Sequence, residues 1–427
     1  MAGLYIHIPF CRTRCIYCAF YSTTALDRRQ RYVDALCREM EMRVKELTEP
    51  LQTIYLGGGT PSQLSPTHLT QLFAALDKTG LASGQSPCEV TIECNPDDVS
   101  AGYAATLLQL GVNRVSMGAQ TFDEARLRFL HRRHSAAQVH EAVDVLRQAG
   151  FRNISIDLMY GFPGETLADW QADIDHALSL GVEHISAYCL TVEEGTPLYA
   201  LMQKATPSDS PCLGGEHDAA KTSPKQGRKE ESAEELERQM YYTLVDRLAA
   251  AGYEHYEISN FCQSGFRSRH NSSYWNDTPY IGLGAAAHSY GPVTDAPAGS
   301  PQPVCRSWNV SDIGHYMAAI ERGELPAERE VLDADTHYND RIATALRTAE
   351  GLDLSTLSEQ HRRHCLHEAA PFLSDGLLKL TPLQATPEVP NTPVQPDLQA
   401  PQSPLRLALT RRGLFVSDMV MSSLMLV

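Results

Sequence analysis

The sequence predicts an α/β protein whose larger part is an open barrel of six strand–helix units, followed by a smaller helical region. From the N-terminus to about Thr191, short β-rich runs alternate with amphipathic helical stretches, and such repeats build parallel sheets. Polar and glycine-rich motifs follow the ends of these runs, which is where barrel enzymes assemble their active sites. Doubly wound sheets also bind ligands at that edge, so the motifs favour a barrel and leave the other arrangement open.

Six strands are expected in this part, each a run rich in β-branched, aromatic or aliphatic residues. They cover residues 4–10, 53–56, 89–93, 114–117, 153–158 and 184–190. The helix starts between them are marked by Ser65 before Pro66, by Ser135 with Gln138, and by Thr166 with Asp169. The helix ends are marked by Gly111, Gly150 and Gly181. Because strand and helix signals alternate in step, they predict repeated strand–helix units.

Four parts are expected along the chain. They are the barrel over 1–200, a polar disordered insertion over 203–232, a barrel-completing segment over 233–310, and a helical, winged-helix-like region over 311–427. The third part should open with a helix over 233–251 and contain a loop over 291–305. The last should hold strands at 377–381 and 405–410, a disordered proline-rich tip over 382–404 and a final helix from Gly413. A lid or docking role is expected for this last part.

Composition excludes some classes of protein. The formal net charge is −16 and the isoelectric point is near 5.4, which argues against a protein that binds nucleic-acid phosphates. No basic, apolar leader follows Met1 and no apolar run is long enough to span a membrane, so a cytoplasmic location is expected. The eleven cysteines are an odd number in a large chain without such a leader, which favours reduced thiols over disulfides.

Three cysteines form the most informative motif. Cys11, Cys15 and Cys18 have the spacing C-x3-C-x2-C directly after the first strand. Three thiolates on one loop can hold three corners of a four-iron cluster and leave the fourth iron open, whereas electron-transfer clusters usually take four cysteines. The alternatives are a zinc site, which would need a fourth ligand, or three buried thiols. His7 lies on the preceding strand and is expected to pack in the core or at the barrel rim.

A glycine run, Gly57-Gly58-Gly59-Thr60-Pro61, follows the second strand. Alone it could be a tight turn. Its functional interpretation is that backbone amides without a neighbouring Cβ can approach a ligand closely.

Together the cysteine loop and this glycine run resemble the radical S-adenosylmethionine (SAM) superfamily. The resemblance implies a partial barrel of radical SAM type and a 4Fe-4S cluster bound by Cys11, Cys15 and Cys18. SAM would bind the open iron through its amine and carboxylate and be cleaved, after electron delivery, to methionine and a 5′-deoxyadenosyl radical. The protein would position these cofactors and exclude water, and an external electron donor is implied.

Most of residues 4–290 is similar, more specifically, to the oxygen-independent coproporphyrinogen oxidase family. That resemblance assigns to the SAM region Tyr5, Gly58, Gly59, Thr60, Glu93, Gln120, Arg132, Asp157 and Thr191. The dehydrogenases of this family carry a fourth cysteine two residues after the third, and this chain has Phe20 there. The chain therefore resembles a sister branch, the heme chaperone HemW family.

A second signature of that branch is H-N-x-x-Y-W. It is present as His270, Asn271, Tyr274 and Trp275. An imidazole can ligate heme iron and aromatic rings can cover the macrocycle, so the resemblance implies heme binding at this tract. The alternative from the residues alone is a packed aromatic corner with His270 hydrogen-bonded inside it. His7 and His288 are alternative iron ligands.

Two functions follow from the resemblance. The first is a chaperone that binds heme and transfers it to apo-hemoproteins such as respiratory enzymes, either as a monomer or as a homodimer, with at most transient membrane association. The second is an enzyme of porphyrin biosynthesis that decarboxylates coproporphyrinogen III to protoporphyrinogen IX. Phe20 and the H-N-x-x-Y-W tract favour the first. A purely structural metalloprotein would need a closed metal site that the cysteine spacing does not supply.

Overall fold

The computed structural model describes residues 2–46, 50–80, 88–204, 233–293, 303–383 and 405–426. Within them, a twelve-stranded sheet carries the larger part of the chain and a three-stranded sheet carries the C-terminal part. Most of the two segments predicted to be disordered, 203–232 and 382–404, lies outside the described residues. Their described ends belong to a helix and a strand.

All six predicted strands are present and parallel. They are β1 (Ala2–Ile8), β2 (Leu51–Gly58), β3 (Glu89–Cys94), β4 (Arg114–Gln120), β5 (Ile154–Tyr160) and β6 (His184–Cys189). Each pairs with the next one in the chain, so the strand order never reverses. Right-handed crossovers then place every connection on the same side, whereas a doubly wound sheet needs a reversal. The fold is a partial barrel, as predicted.

Helices connect these strands and begin where the capping residues predict. The helices of the barrel are α1 (Arg29–Arg43), α2 (Pro66–Lys78), α3 (Ala101–Gln109), α4 (Glu124–Phe129), α5 (Ala136–Ala149), α6 (Leu167–Ser179) and α7 (Pro197–Lys204). The Ser135 and Thr166 side chains accept hydrogen bonds from backbone amides of the first turns of α5 and α6. Gly150 ends α5 with a φ of +117°, a conformation that glycine adopts without strain.

The strands after residue 250 extend the sheet on both sides. They are β7 (Glu254–Glu257), β8 (Asn260–Cys262), β9 (Tyr280–Leu283), β10 (His288–Pro292), β11 (Val304–Asn309) and β12 (Ala327–Val331). The first two follow β6 and the other four follow β1, with β9 parallel to β1. Within the described residues β7 and β12 form the two edges, so the barrel is open.

The predicted loop over 291–305 is wrong at both ends. β10 and β11 pair along five residues each, from His288 opposite Trp308 to Pro292 opposite Val304. The sequence Tyr290-Gly291-Pro292 has the composition of a turn, but antiparallel pairing keeps it extended, and Pro292 is tolerated at a strand end. Residues 294–302 between the two strands lie outside the described residues.

The C-terminal part packs around its own apolar cluster. Three further helices precede it in the chain: α8 (Ala233–Ala250), α9 (Arg269–Tyr274) and α10 (Ile313–Glu321). Its own helices are α11 (Ala334–Ala345), α12 (Glu359–Ser374), α13 (Arg411–Phe415) and α14 (Ser417–Leu424). Its strands are β13 (Leu352–Asp353), β14 (Leu378–Pro382) and β15 (Leu405–Leu409). The cluster includes Ile342, Leu352 and Leu407, separate from the core of the barrel. Helices followed by a β14–β15 hairpin match the predicted winged-helix-like arrangement. The exact domain limits stay a prediction.

In the part of the chain that the structure describes, no helix has both the length and the apolar character that crossing a bilayer requires.

Candidate cofactor and ligand site

Loops at the carboxyl ends of the barrel strands line a cavity of about 970 Å³. Most of the predicted site residues lie on its wall: Cys11, Cys15, Cys18, Gly58, Gly59, Thr60, Glu93, Gln120, Arg132, Asp157, Thr191 and Asn271. Four predicted residues lie behind this wall instead: Tyr5, His270, Tyr274 and Trp275. The barrel therefore gathers side chains that are far apart in sequence at one end of the sheet.

The cysteine loop is fixed to the barrel at its base and in its middle. At the base, Thr23 N donates to Pro9 O over 2.7 Å and Cys11 N donates to Thr23 O over 2.9 Å. In the middle, Ile16 is 3 % exposed and packs into a small apolar cluster with Leu130. The three thiols on either side of Ile16 remain partly exposed. A buried anchor within a polar loop thus presents all three sulfurs to the cavity.

The three thiols are the candidate metal ligands on this wall. Among the described residues, no three His, Cys, Asp or Glu side chains are arranged to hold a single metal ion. Burial raises the pKa of Cys11 and Cys18, so both are neutral thiols near pH 7 until a metal displaces their protons. A 4Fe-4S cluster takes each cysteine sulfur at a different iron, so three cysteines leave one iron open.

The glycine run lies directly against the cysteine loop. A Cβ added to Gly59 would lie 2.8 Å from the backbone carbon of Pro9 and 3.1 Å from Cys11 Sγ. Gly58 has a φ of +114°, and its Cβ would lie 2.6 Å from the His7 ring. Thr60 Oγ1 lies 3.5 Å from Cys11 Sγ. Larger residues at Gly58 and Gly59 would therefore collide with His7, Pro9 and Cys11, and the predicted close approach of this backbone to a ligand stays a prediction.

Glu93 stands at the end of β3, opposite the glycine run. Its carboxylate accepts hydrogen bonds from Tyr55 Oη over 2.8 Å and from Gly58 N over 3.1 Å. Burial raises the pKa of Glu93 to about 7, although both hydrogen bonds oppose that shift. Tyr5 stacks on Tyr55 with ring centroids 6.2 Å apart, and its hydroxyl lies 3.0 Å from His7 Nδ1. A contact of Tyr5 with a cofactor stays a prediction.

Gln120 and Arg132 meet beside the second cysteine. Arg132 Nη1 lies 3.6 Å from Cys15 Sγ, and its Nη2 donates to Asn95 Oδ1 over 2.9 Å and to Gly118 O. Its Nε is buried and has no hydrogen-bond partner. Gln120 has a φ of +67°, a strained conformation for a residue with a side chain and one that clusters at functional sites. A cation with an unused donor thus lies next to a sulfur that is predicted to ligate a metal.

Asp157 and Thr191 lie on and after the next two strands, β5 and β6, and Asp157 pairs with Gly118 of β4. Burial raises the pKa of Asp157, and Ser116 donates to its carboxylate over 3.5 Å. Thr191 is exposed at the rim, and its hydroxyl donates to Cys189 O over 3.4 Å. Asp157 can accept hydrogen bonds from a polar ligand inside the barrel, whereas Thr191 can reach only what lies near the opening.

The H-N-x-x-Y-W tract lies on α9 and its C-cap, and both ring nitrogens of its histidine are hydrogen-bonded. His270 is 1 % exposed, its Nδ1 lies 2.8 Å from Thr53 Oγ1, and its Nε2 lies 2.8 Å from Tyr274 Oη. Its backbone N donates to Glu89, and burial lowers the pKa of His270 to about 3. Both ring nitrogens are hydrogen-bonded, which corresponds to the packed aromatic corner, and ligation of heme iron by His270 stays a prediction.

The other residues of the tract face two ways. Tyr274 packs against Tyr280 with ring centroids 4.7 Å apart, inside the corner. Asn271 lies on the cavity wall. The guanidinium group of Arg347 lies over the Trp275 ring, 5.1 Å from the centroid of that ring.

Of the two alternative iron ligands, His7 is buried and bonded to Tyr21 O, whereas His288 is exposed on β10.

The structure adds cavity residues that the sequence did not single out. Arg114 is 1 % exposed at the start of β4 and lines the cavity, with its Nε buried and without a hydrogen-bond partner. Tyr55 and Tyr188 also line it, and Arg347, Leu414 and Phe415 enter from the C-terminal part. The positions of Tyr55 and Tyr188 near the ends of strands were a usable signal. Nothing in the local sequence marks Arg347.

Phe20 occupies the position where the dehydrogenases carry a fourth cysteine. Its side chain is 69 % exposed and lies at the cavity wall. A large apolar side chain with that much exposure leaves an apolar surface beside the cysteine loop.

Comparison with known proteins agrees with this arrangement. Residues 5–177 match the family model of the radical SAM superfamily. The chain is 34% identical to the heme chaperone HemW of Bacillus subtilis over 369 residues, which is 85% of this chain and 88% of that protein. It is also 34% identical to the heme chaperone HemW of Mycobacterium tuberculosis strain H37Rv, over 88% of each protein.

A solved structure supports the fold. The coproporphyrinogen III oxidase HemN of Escherichia coli, a radical SAM enzyme, superimposes with a TM-score of 0.74 at 20% identity. The match covers 99% of this chain and 89% of the other. Membership of the radical SAM superfamily implies a 4Fe-4S cluster and SAM as cofactors. The cysteine loop, the glycine run beside it and the unpaired Arg132 Nε fit these two groups. The chain belongs to the radical SAM superfamily and, within it, to the HemW family.

Proposed function

We propose that this chain is a heme chaperone, which binds heme and transfers it to apo-hemoproteins such as respiratory enzymes. Its HemW relatives, which match it over most of their length, are named for this function. The structural observation that carries the proposal is a single cavity that joins three thiols to an apolar wall. Its volume of about 970 Å³ is at the upper end for small-molecule sites, so it suits a large ligand.

Cys11, Cys15 and Cys18 are proposed to bind three irons of a 4Fe-4S cluster and to leave the fourth open for SAM. The cluster and SAM supply one-electron chemistry when bound. The backbone of Gly58, Gly59 and Thr60 is proposed to lie against the amino-acid end of SAM, where the two glycines place no side chain between the backbone and the ligand.

Four polar side chains complete this proposed SAM region. Glu93, Gln120 and Asp157 offer acceptors and donors to the polar groups of SAM, and Thr191 contributes at the rim. Arg132 places a positive charge 3.6 Å from Cys15 Sγ, beside the proposed cluster. In this proposal the cluster and SAM support or regulate heme transfer.

The heme is proposed to bind in the same cavity on the side away from the cysteines. Tyr241, Ile258, Leu414 and Phe415 line that side and can cover an apolar macrocycle. Asn271 is the residue of the H-N-x-x-Y-W tract that reaches it. In this proposal the buried His270 holds the tract in place.

The test of this function is an anaerobic heme titration of the reconstituted full-length protein. We expect stoichiometric uptake, followed by visible absorption, and transfer to an added apo-hemoprotein. The alternative function, oxidation of coproporphyrinogen III, is tested with SAM, a reductant and coproporphyrinogen III in a parallel incubation. Porphyrin product formed over many turnovers would overturn the chaperone proposal, and failure to take up heme would do the same.

We also propose a cytoplasmic location, a protein electron donor to the cluster, and a homodimer as the form that carries heme. Size-exclusion chromatography with and without heme tests the last of these. An unchanged monomer at full heme occupancy would contradict it.

A further inference from the structure

We propose that Arg347 is the residue that binds a carboxylate of the ligand in this cavity, and that the H-N-x-x-Y-W tract acts on the ligand through Arg347. The inference rests on the proposed function, since heme is an apolar macrocycle that carries two propionate carboxylates. It adds a specificity residue to that function and gives Trp275 a role that does not depend on contact with iron.

Backbone contacts fix the position of Arg347 with respect to the barrel. It lies two residues after the end of α11, in the segment between α11 and β13, and Thr348 in this segment forms an antiparallel bridge with Glu257 of β7. Its carbonyl accepts a hydrogen bond from Ile258 N over 3.1 Å, and Ala349 N donates to Tyr256 O over 3.0 Å. The backbone of Arg347 is therefore held on the barrel side of the cavity and not on a free loop.

Two side chains orient its guanidinium group. Trp275 lies under it at 5.1 Å from the ring centroid, a cation–π distance that fixes the plane of the group. Arg347 Nη2 donates to Glu257 Oε2 over 3.3 Å, and Glu257 is 2 % exposed. Glu257 also accepts from Ser259 N over 2.8 Å and from the Asn260 amide, so its remaining acceptor capacity is largely used.

The donors of Arg347 are only partly used. Its Nε is buried without a hydrogen-bond partner, and among the described residues no hydrogen bond involves Nη1. The side chain is 28 % exposed and lines the cavity, so Nη1 is left to face it. An oriented guanidinium with a free donor is suited to a carboxylate, which accepts charge-assisted hydrogen bonds from arginine.

The neighbours of Arg347 match the rest of such a ligand. Asn271 lies one helical turn before Trp275 on the same face, and it adds a polar amide to the cavity wall. The Tyr241 and Phe415 rings, with centroids 6.2 Å apart, present aromatic surface on the same wall. A cation beside an aromatic wall fits a planar apolar molecule with a carboxylate at its edge.

The experiment compares heme with heme dimethyl ester, which keeps the macrocycle and iron but has no free carboxylate. Wild-type protein is expected to bind heme about tenfold or more tightly than the ester, as one charged hydrogen-bonded pair predicts. The double variant Glu257→Gln/Arg347→Gln removes both charges together, so no unpaired buried carboxylate remains to unfold the protein. It should bind the two ligands equally, at the affinity of the ester. Trp275→Leu should lose part of the preference.

Arg267→Gln is the matched control. Arg267 also stacks on an aromatic ring, that of Tyr256 at 5.4 Å, and it pairs with Glu254 and Glu350 outside the cavity wall. Its variant should keep the wild-type preference. Equal binding of heme and ester by the wild type, or a preference retained by the folded double variant, would overturn the assignment and leave heme binding in place. Failure of the wild type to bind either ligand would overturn both.

Discussion

The cysteine loop and the H-N-x-x-Y-W tract both carry residue types that ligate metals, yet the structure treats them in opposite ways. Cys11, Cys15 and Cys18 are partly exposed on a cavity wall, and a buried residue within their loop holds them there. His270 is buried, and both ring nitrogens are hydrogen-bonded. The difference teaches that residue type alone does not place a side chain: the fold turns the three sulfurs toward a cavity and encloses the ring of His270 between protein partners.

The largest expected effect is the loss of the cluster. Cys15→Ser should abolish the visible absorption that reconstitution with iron and sulfide produces, because a hydroxyl is a poor substitute for a thiolate at iron. Cys37→Ser is the matched control, since Cys37 is a half-buried thiol on α1 whose Sγ contacts Gln71 O. A Cys15→Ser protein with full absorption would show that the loop does not hold the cluster.

The next effect tests the close packing behind the cysteine loop. Gly59→Ala should lower the free energy of unfolding by about 3 kcal/mol, because the added Cβ meets the Pro9 backbone at 2.8 Å and that backbone must move. Gly102→Ala in α3, where an added Cβ meets nothing within 4 Å, should instead raise it by about 0.5–1 kcal/mol. Denaturant unfolding of both variants measures the contrast. Equal stabilities would contradict this close packing.

A third effect tests whether His270 is structural. His270→Ala leaves Thr53 and Tyr274 without their shared partner, so the free energy of unfolding should fall by about 2 kcal/mol. Thermal unfolding without heme measures this. A variant that unfolds like the wild type but no longer takes up heme would show instead that His270 contacts the cargo.

A further effect concerns pH. Burial raises the pKa of Glu93 from 4.5 to about 7 in the folded protein, so between these values the folded state binds more protons than the unfolded one. Stability should therefore fall as pH rises through this window, by about 2–3 kcal/mol from this residue. Glu93→Gln should remove that part of the slope, measured by denaturant unfolding at pH 5 and pH 8. Burial also raises the pKa of Glu165 to about 7, so the contribution of Glu165 to the pH dependence of stability should remain in this variant. An unchanged slope would contradict the prediction.

The sequence predicts the barrel well because its signals are local. All six parallel strands and the capped starts of α5 and α6 depend on short-range patterns that the fold preserves. The ends of the predicted loop over 291–305 are strands because pairing across a hairpin outweighs the turn-like composition of Gly291 and Pro292.

The site is predictable only in part, because sequence signals are local and the cavity joins distant parts of the chain. The cysteine and glycine motifs are contiguous, and they lie where they are predicted. Arg114 and Arg347 reach the cavity from elements more than 200 residues apart, so no local pattern could connect them. The H-N-x-x-Y-W tract is recognisable as a motif, but only its surroundings show that His270 is engaged and that Asn271 reaches the cavity.

The cavity has one wall made by the first residues of the chain and another made by the last. Cys11 and Phe415 face the same space, although about four hundred residues separate them. Because Cys11 lies far ahead of Phe415 in the chain, the cysteine loop is synthesised long before the helices that form the opposite wall of the cavity. Iron and sulfide can therefore reach the loop before that wall is in place.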